Sequence, residues 1–326
     1  MNCLCCGKPL KESIRSQQTA GGWHESCIKR FFGTKELPAL DISPNMLEQL
    51  ARDSINRGFT VPGVQKKLSL CLSSNTTDRK HLTMVGYPSG YILKPQTEDY
   101  DFLPEFEYLV MQMAKETGIK TVPFALIRTS DASSLAYITK RIDRTIVSGE
   151  MPQKYAMEDF CQLDQRLTAD KYKGSYERCA KIIQSYSVSP RLDITEIYLR
   201  IVFSFAIGNS DMHLKNFSLI ETAPGSGLYH LSEAYDMLPV NLVLPADKDQ
   251  MALTLNGKNR NLHRNDFMIL ADNCGLDRKV AEKLIQVVIN KRDTYLKMCK
   301  TYAYIPEDRK EALCTFITSR ITTLSI

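Results

Sequence analysis

Asp211, Asn216 and Asp236 have the residue types and order that metal-assisted phosphoryl transfer needs. Asp211 and Asn216 stand in a DxxxxN spacing within GNSDMHLKNFSLI, residues 208–220, and Asp236 follows 20 positions after Asn216 in LSEAYDML. Moving a phosphoryl group asks little covalent help of a protein; catalysis is positioning plus neutralisation of charge. In that chemistry Asp211 orients or accepts the proton of an attacking hydroxyl. Asn216 and Asp236 offer the hard oxygen ligands that suit Mg2+ on phosphate oxygens. His213 and Lys215 lie in the same stretch, where a donor or a cation can offset charge that develops during transfer. Asp, His and Asn also make plain surface turns, so the flanking elements decide between the two readings.

Before this loop, the apolar run at 197–207 is closed by Gly208, which predicts a buried helix with a glycine stop. After it, FSLI and LYHL predict short strands joined by ETAPGSG, a hairpin that carries Asp236 back toward Asp211. Upstream, FTVPGVQKKLSLCL at 59–72 sets a glycine turn ahead of an alternating strand. Backbone N–H groups at Gly63, Val64 and Gln65 can there face phosphates; an ordinary hairpin is the alternative. YILKPQ puts Lys94 at a strand end before Pro95, as a phosphate contact or a solvated lysine. PEFEYLVMQMAKET, residues 104–117, predicts an amphipathic helix with Phe106, Leu109, Val110 and Met113 on its apolar stripe and Gly118 past its end. Glu107 on that helix either pairs with Lys94 or faces solvent.

The N-terminus carries a separate signal. Cys3 and Cys6 form CxxC and, after 17 residues, His24 and Cys27 form HxxC, four zinc-ligand types in a ribbon-like spacing. Cys5 adds a further thiol, and packed, metal-free thiols are the alternative. With 326 residues, 43% of them hydrophobic and 24% charged, the chain has the composition of a globular protein with a sizeable core. A net charge of 42 − 37 = +5 favours acidic partners without marking a nucleic-acid binder. No apolar run approaches the ~20 residues of a membrane span, MNCLCC lacks a secretory pattern, and irregularly placed cysteines suit reduced thiols in a cytoplasmic protein. The expected organisation is a Cys-rich segment and linker at 1–45, a mixed N-lobe at 46–157 and a mainly helical C-lobe at 158–326. Residues 165–178 read as a solvated connection, and 271–300 contain a helix with apolar spacing at Val280, Leu284, Val287 and Val288.

TVPGVQKKLSL, YILKPQ, the EFEY helix, ITKRIDR, AMEDFCQ, GNSDMHLKN and EAYDML occur in one order through most of the chain. In that order the sequence resembles the HipA-like serine/threonine kinases, toxins of bacterial toxin–antitoxin systems, and among them the short HipT-type branch. The resemblance implies an α+β, two-lobed protein-kinase-like fold that uses ATP and Mg2+. It implies that Asp211 is the catalytic aspartate, that His213 and Asn216 contact nucleotide and Mg2+, and that Asp236 is a second Mg2+ ligand. Lys94 takes the place of the lysine on the ATP phosphates. Glu158 to Phe160 match the hinge whose backbone holds adenine, and Gly63, Val64, Gln65 and Lys67 match the phosphate loop. The family autophosphorylates a serine just before that glycine; Thr60 stands there, with Pro62 stiffening the turn and Ser54 as the nearest other hydroxyl. Implied partners are a protein substrate such as an aminoacyl-tRNA synthetase, a HipB-like DNA-binding antitoxin and a small HipS-like companion. A small-molecule or lipid phosphotransferase shares the same chemistry. A non-catalytic ATP-binding partner of a repressor does not need the complete pair Asp211 and Asp236.

Overall fold

The computed structural model describes residues 1–10, 21–40, 67–72, 81–83, 90–129, 134–145 and 153–326. Two compact units divide the chain: Met1–Tyr108 with Val122–Pro152, and Leu109–Thr121 with Gln153–Ile326. The described part of the Cys-rich start lies within the first unit, and residues 109–121 fall in the second.

The first unit is built on a sheet whose described strands are β1 (Ala39–Leu40), β2 (Leu68–Leu72), β3 (His81–Thr83), β4 (Tyr91–Lys94), β5 (Phe124–Arg128) and β6 (Leu135–Lys140). Their order is β1-β3-β2-β4-β6-β5, with β1–β3 parallel and the other pairs antiparallel. FALIR and LAYITK are near-continuous apolar runs because β5 and β6 bury side chains on both faces. The helix α1 (Glu25–Phe32) ends at Gly33 in the left-handed conformation. It lays Phe31 and Phe32, with Trp23, against Tyr91 of β4.

The helix α2 (Leu103–Glu116) begins in the first unit and ends in the second. Residues 103–111 are all buried, so it is not the amphipathic helix that its apolar spacing predicts. Tyr108 and Met111, off the expected stripe, are as enclosed as Leu109. A stretch covered all round shows no single stripe to read, and exposure is confined to the last turn at Lys115 and Glu116.

In the second unit β7 (Met157–Asp159), β8 (Ser218–Glu221) and β9 (Tyr229–Leu231) pair antiparallel in that order. The described helices are α3 (Phe160–Leu163), α4 (Tyr176–Tyr186), α5 (Pro190–Ile207), α6 (Val240–Val243), α7 (Arg264–Asn273), α8 (Arg278–Asn290), α9 (Arg292–Thr301) and α10 (Glu307–Ser325). The predicted apolar run is the C-terminal part of α5, which starts at Pro190, a residue whose fixed φ and missing N–H suit a first turn. The buried stripe of α8 is Ala281, Ile285 and Val288, with Val280 and Leu284 half-buried and Val287 exposed. The buried face is therefore rotated from the one the sequence suggests. Among the described residues, no helix is long and apolar enough to cross a membrane.

Candidate active site

The loop after α5 is shaped by what surrounds Gly208. That residue has φ 75°, and a Cβ there would lie 2.5 Å from the Phe316 ring of α10, so glycine is the residue that fits. Asn209 follows fully buried, and the Ser210 hydroxyl donates to Asp247 Oδ2 at 2.7 Å. Asp211 then emerges with its side chain 42% exposed, backed by His213, 6% exposed, whose Nε2 is 3.9 Å from Asp211 Oδ1. Asn216 Nδ2 donates to the Asp211 backbone carbonyl at 2.8 Å. That bond closes the turn and commits the amide N–H, which leaves Oδ1 as the atom able to ligate a cation.

The hairpin of β8 and β9 forms as expected. Tyr235 donates to Lys215 O at 3.2 Å and shares a 2.6 Å hydrogen bond with Ser218, so the residue before Asp236 is fastened to the loop that carries Asp211 and Asn216. Asp236 itself has φ 61°. Left-handed backbone costs a residue with a β-carbon roughly 1–2 kcal/mol, and such strain persists where the surroundings enforce it. Burial first, then the hydrogen bond to Asp211 and the negative charges of Asp211, Asp247 and Asp236, push the Tyr172 phenol above its ordinary pKa.

Tyr172 is the functional candidate that sequence reasoning missed, since it lies in the segment 165–178 read as a solvated connection. Its hydroxyl donates to Asp211 Oδ1 at 2.5 Å, and its ring packs edge-on against His213 at 5.0 Å. Lys171 O accepts from Leu214 N at 3.2 Å, holding this segment on the loop. An exposed tyrosine on a carboxylate 39 positions away leaves no mark in the local pattern. Lys215 is a second departure. Its Nζ is bound to Asp159 Oδ2 at 2.6 Å, so the structure engages it with a carboxylate where the sequence suggested a cation for the phosphates.

Asp159 also caps α3 in a reciprocal box with Gln162. Just before it, β7 is an edge strand, and its register decides which backbone groups are offered outward. Glu221 N donates to Ala156 O and Phe160 N donates to Phe217 O. With period two, Glu158 pairs likewise with Leu219, so Glu158 and Phe160 turn their backbone groups inward. The outward groups are those of Met157, since the Asp159 N–H donates to Gln162 Oε1 and its carbonyl, at the N-cap, begins α3. In the expected hinge segment the free strand edge is thus at Met157, while the backbone groups of Glu158 and Phe160 face β8.

In the first unit, Lys94 ends β4 and its Nζ lies 2.5 Å from Glu107 Oε1, the two side chains 4% and 0% exposed. The solvent-facing alternatives for both residues are excluded. The Lys94 ammonium also stands 5.3 Å from the Tyr137 ring centroid. Lys67 is exposed just before β2. Gly63, Val64, Gln65, Thr60 and Ser54 lie outside the described residues. Cys3, Cys6, His24 and Cys27 converge, with their ligand atoms all within 4.8 Å of one another.

The HipA-like C-terminal domain family matches residues 59–295. A Haemophilus influenzae protein named "Putative kinase" is 26% identical across 99% of this chain and 97% of its own length. A Sinorhizobium fredii protein named "Putative kinase Y4dM" is 31% identical across 55% of this chain and 44% of its own. Among solved structures, a Shewanella oneidensis HipA, described in complex with HipB and operator DNA, aligns with a TM-score of 0.66 at 18% identity, over 84% of this chain and 70% of that one. The Helicobacter pylori proinflammatory kinase CtkA aligns with a TM-score of 0.54 at 16% identity, over 74% and 86%. These likenesses give the two units the α+β, two-lobed kinase-like fold. With the family match spanning most of its length, this chain belongs to the HipA-like C-terminal domain family.

Proposed function

We propose that this chain is an ATP- and Mg2+-dependent serine/threonine protein kinase. The observation that carries the reading is the closed turn in which Asn216 binds the Asp211 backbone carbonyl while the Asp211 carboxylate stays exposed. Asp211 takes the proton of the acceptor hydroxyl as its oxygen bonds to the γ-phosphorus; the bond from that phosphorus to the β–γ bridging oxygen breaks and ADP leaves. Asn216 Oδ1 and the Asp236 carboxylate would hold the cation, which neutralises phosphate charge when bound. His213 braces the carboxylate from behind. Lys94, oriented by Glu107, contacts phosphates, and the open edge at Met157 in the 157–160 hinge segment receives the base. The Tyr172 hydroxyl occupies the place at Asp211 that an acceptor hydroxyl must take, so it withdraws when the acceptor arrives.

We extend this reading to a toxin acting in the cytoplasm on a protein of the translation apparatus and restrained by a DNA-binding antitoxin; the Shewanella HipA, described in complex with HipB and operator DNA, supports the antitoxin. A small HipS-like companion and self-phosphorylation at Thr60 or Ser54 belong to the same proposal; phosphosite mapping after incubation with ATP checks the latter. The test of function is transfer of labelled γ-phosphate from ATP with Mg2+ into a bacterial lysate, comparing the chain with Asp211→Asn. A labelled protein band that requires Asp211 is the expected result. Label in small molecules alone would instead identify a small-molecule phosphotransferase.

A further inference from the structure

The N-terminal cysteines lie outside the phosphoryl-transfer machinery, yet the chain gathers them from two separated segments. A tetrahedral zinc ion with Zn–S of ~2.3 Å and Zn–N of ~2.0 Å sets its sulfur and nitrogen ligands roughly 3.5 Å apart and its sulfurs roughly 3.8 Å apart. Cys6 Sγ is 3.4 Å and Cys27 Sγ 3.9 Å from His24 Nδ1, and all four ligand atoms fall within 4.8 Å. The surroundings match as well. His24 Nε2 faces Pro9 O at 3.2 Å, which places the ring proton on Nε2 and the lone pair on Nδ1, toward the thiols. His24 N donates to Cys3 Sγ at 3.4 Å and Arg30 to Cys27 Sγ at 3.5 Å, both suited to sulfur that carries negative charge. Gly7 N bonds to Cys3 O and Cys3 N to Lys8 O, each at 2.8 Å, folding the first CxxC into a knuckle. Cys5, inside that knuckle, is not one of the converging four.

The segment so folded is attached to the sheet and helix that carry Lys94 and Glu107. Leu126 N of β5, the strand at the sheet's edge, donates to Leu4 O at 2.9 Å, and Trp23 Nε1 donates to Leu126 O at 3.0 Å. Tyr108, the residue after Glu107, donates to Cys5 O at 3.2 Å. The carbonyls of residues 4 and 5, between the first two ligands, are therefore handholds for β5 and α2. We propose that Cys3, Cys6, His24 and Cys27 form a structural zinc site that folds the N-terminal segment into a clasp on β5 and α2. With four protein ligands the site has no open position, so it takes no part in transfer chemistry.

The test uses the full chain, expressed with zinc and kept reduced, with zinc per chain measured by atomic emission. Wild type and Cys5→Ser are expected to carry about one equivalent, while Cys6→Ser and His24→Ala hold it roughly tenfold or more weakly in competition with a chromophoric chelator. Cobalt(II) in place of zinc is expected to give the visible absorption of a tetrahedral thiolate site. Reduced wild type without zinc, or equal retention by Cys6→Ser, overturns the site. Because ligand variants can fail to fold, hydrogen exchange on wild type before and after chelation provides the second readout. Loss of the metal is expected to expose the Leu126 amide while the β4–β6 ladder stays protected; unchanged Leu126 protection overturns the clasp. Asp211→Asn should keep both zinc and protection, so failure here is distinguishable from failure of the kinase reading.

Discussion

Lys94 and Glu107 are 4% and 0% exposed and bound to each other, whereas Asp211 is 42% exposed on a loop. The first unit spends its charges on a fixed geometry, anchored by a strand end and by the buried stretch of α2 that carries Glu107. The second keeps one carboxylate accessible and immobilises the backbone beneath it through Asn216, Gly208 and Tyr235. A group that only positions a substrate can be sealed away. One that takes a proton must reach solvent and substrate in turn.

Substitution can break this contrast most sharply at the two charged centres. Asp211→Asn is expected to lower phosphoryl transfer by about 10²–10⁴-fold with the urea midpoint unchanged, measured by label transfer and chemical unfolding. Glu107→Ala leaves Lys94 buried without its carboxylate and should destabilise the fold by about 3–5 kcal/mol; an unchanged unfolding midpoint would show that the pair is not structural. Glu105 sharpens the comparison through pH. Burial pushes its carboxyl from 4.5 up to about 7, against an opposing backbone hydrogen bond. The folded state holds the proton more tightly, so stability is present in acid and is lost as pH rises from 4.5 through 7. Glu105→Gln should therefore stabilise the chain by up to about 3 kcal/mol at pH 8 and by little at pH 4.5, as read from urea unfolding at the two pH values. Gly208→Ala meets both a left-handed φ and the Phe316 ring, and a loss of about 1–3 kcal/mol is expected. The smallest effect belongs to Tyr172→Phe, which removes the hydroxyl from Asp211 and should lower the acceptor KM roughly fivefold at constant kcat. A fall in kcat would instead make Tyr172 a residue that holds the carboxylate in place.

Much of the second unit was legible because its signals are local. DxxxxN sits in one turn, Gly208 ends one helix, and the hairpin lies in a single stretch. What escaped depends on partners distant in sequence. Lys215 looked available because Asp159, its partner, is 56 positions away. The phase of the hinge is set by pairing with β8, which no reading of AMEDFCQ alone contains. In the first unit, the stripe on α2 was real, but burial of Tyr108 and Met111 depends on neighbours that periodicity cannot supply. The convergence of Cys3, Cys6, His24 and Cys27 was visible as spacing, while their attachment to Leu126 and Tyr108 was not.

Under the proposed function, the phenol of Tyr172 on Asp211 bears on the state with ATP bound and no acceptor present. Any kinase of this kind faces water, the most abundant hydroxyl in the cell, as a competing nucleophile. With a tyrosine hydroxyl already seated on Asp211 Oδ1, the oxygen proposed to accept the proton, water finds that place taken. In the proposed reaction idle ATP hydrolysis would then be suppressed without closing the site, and an incoming serine or threonine would need only to displace one side chain to begin turnover.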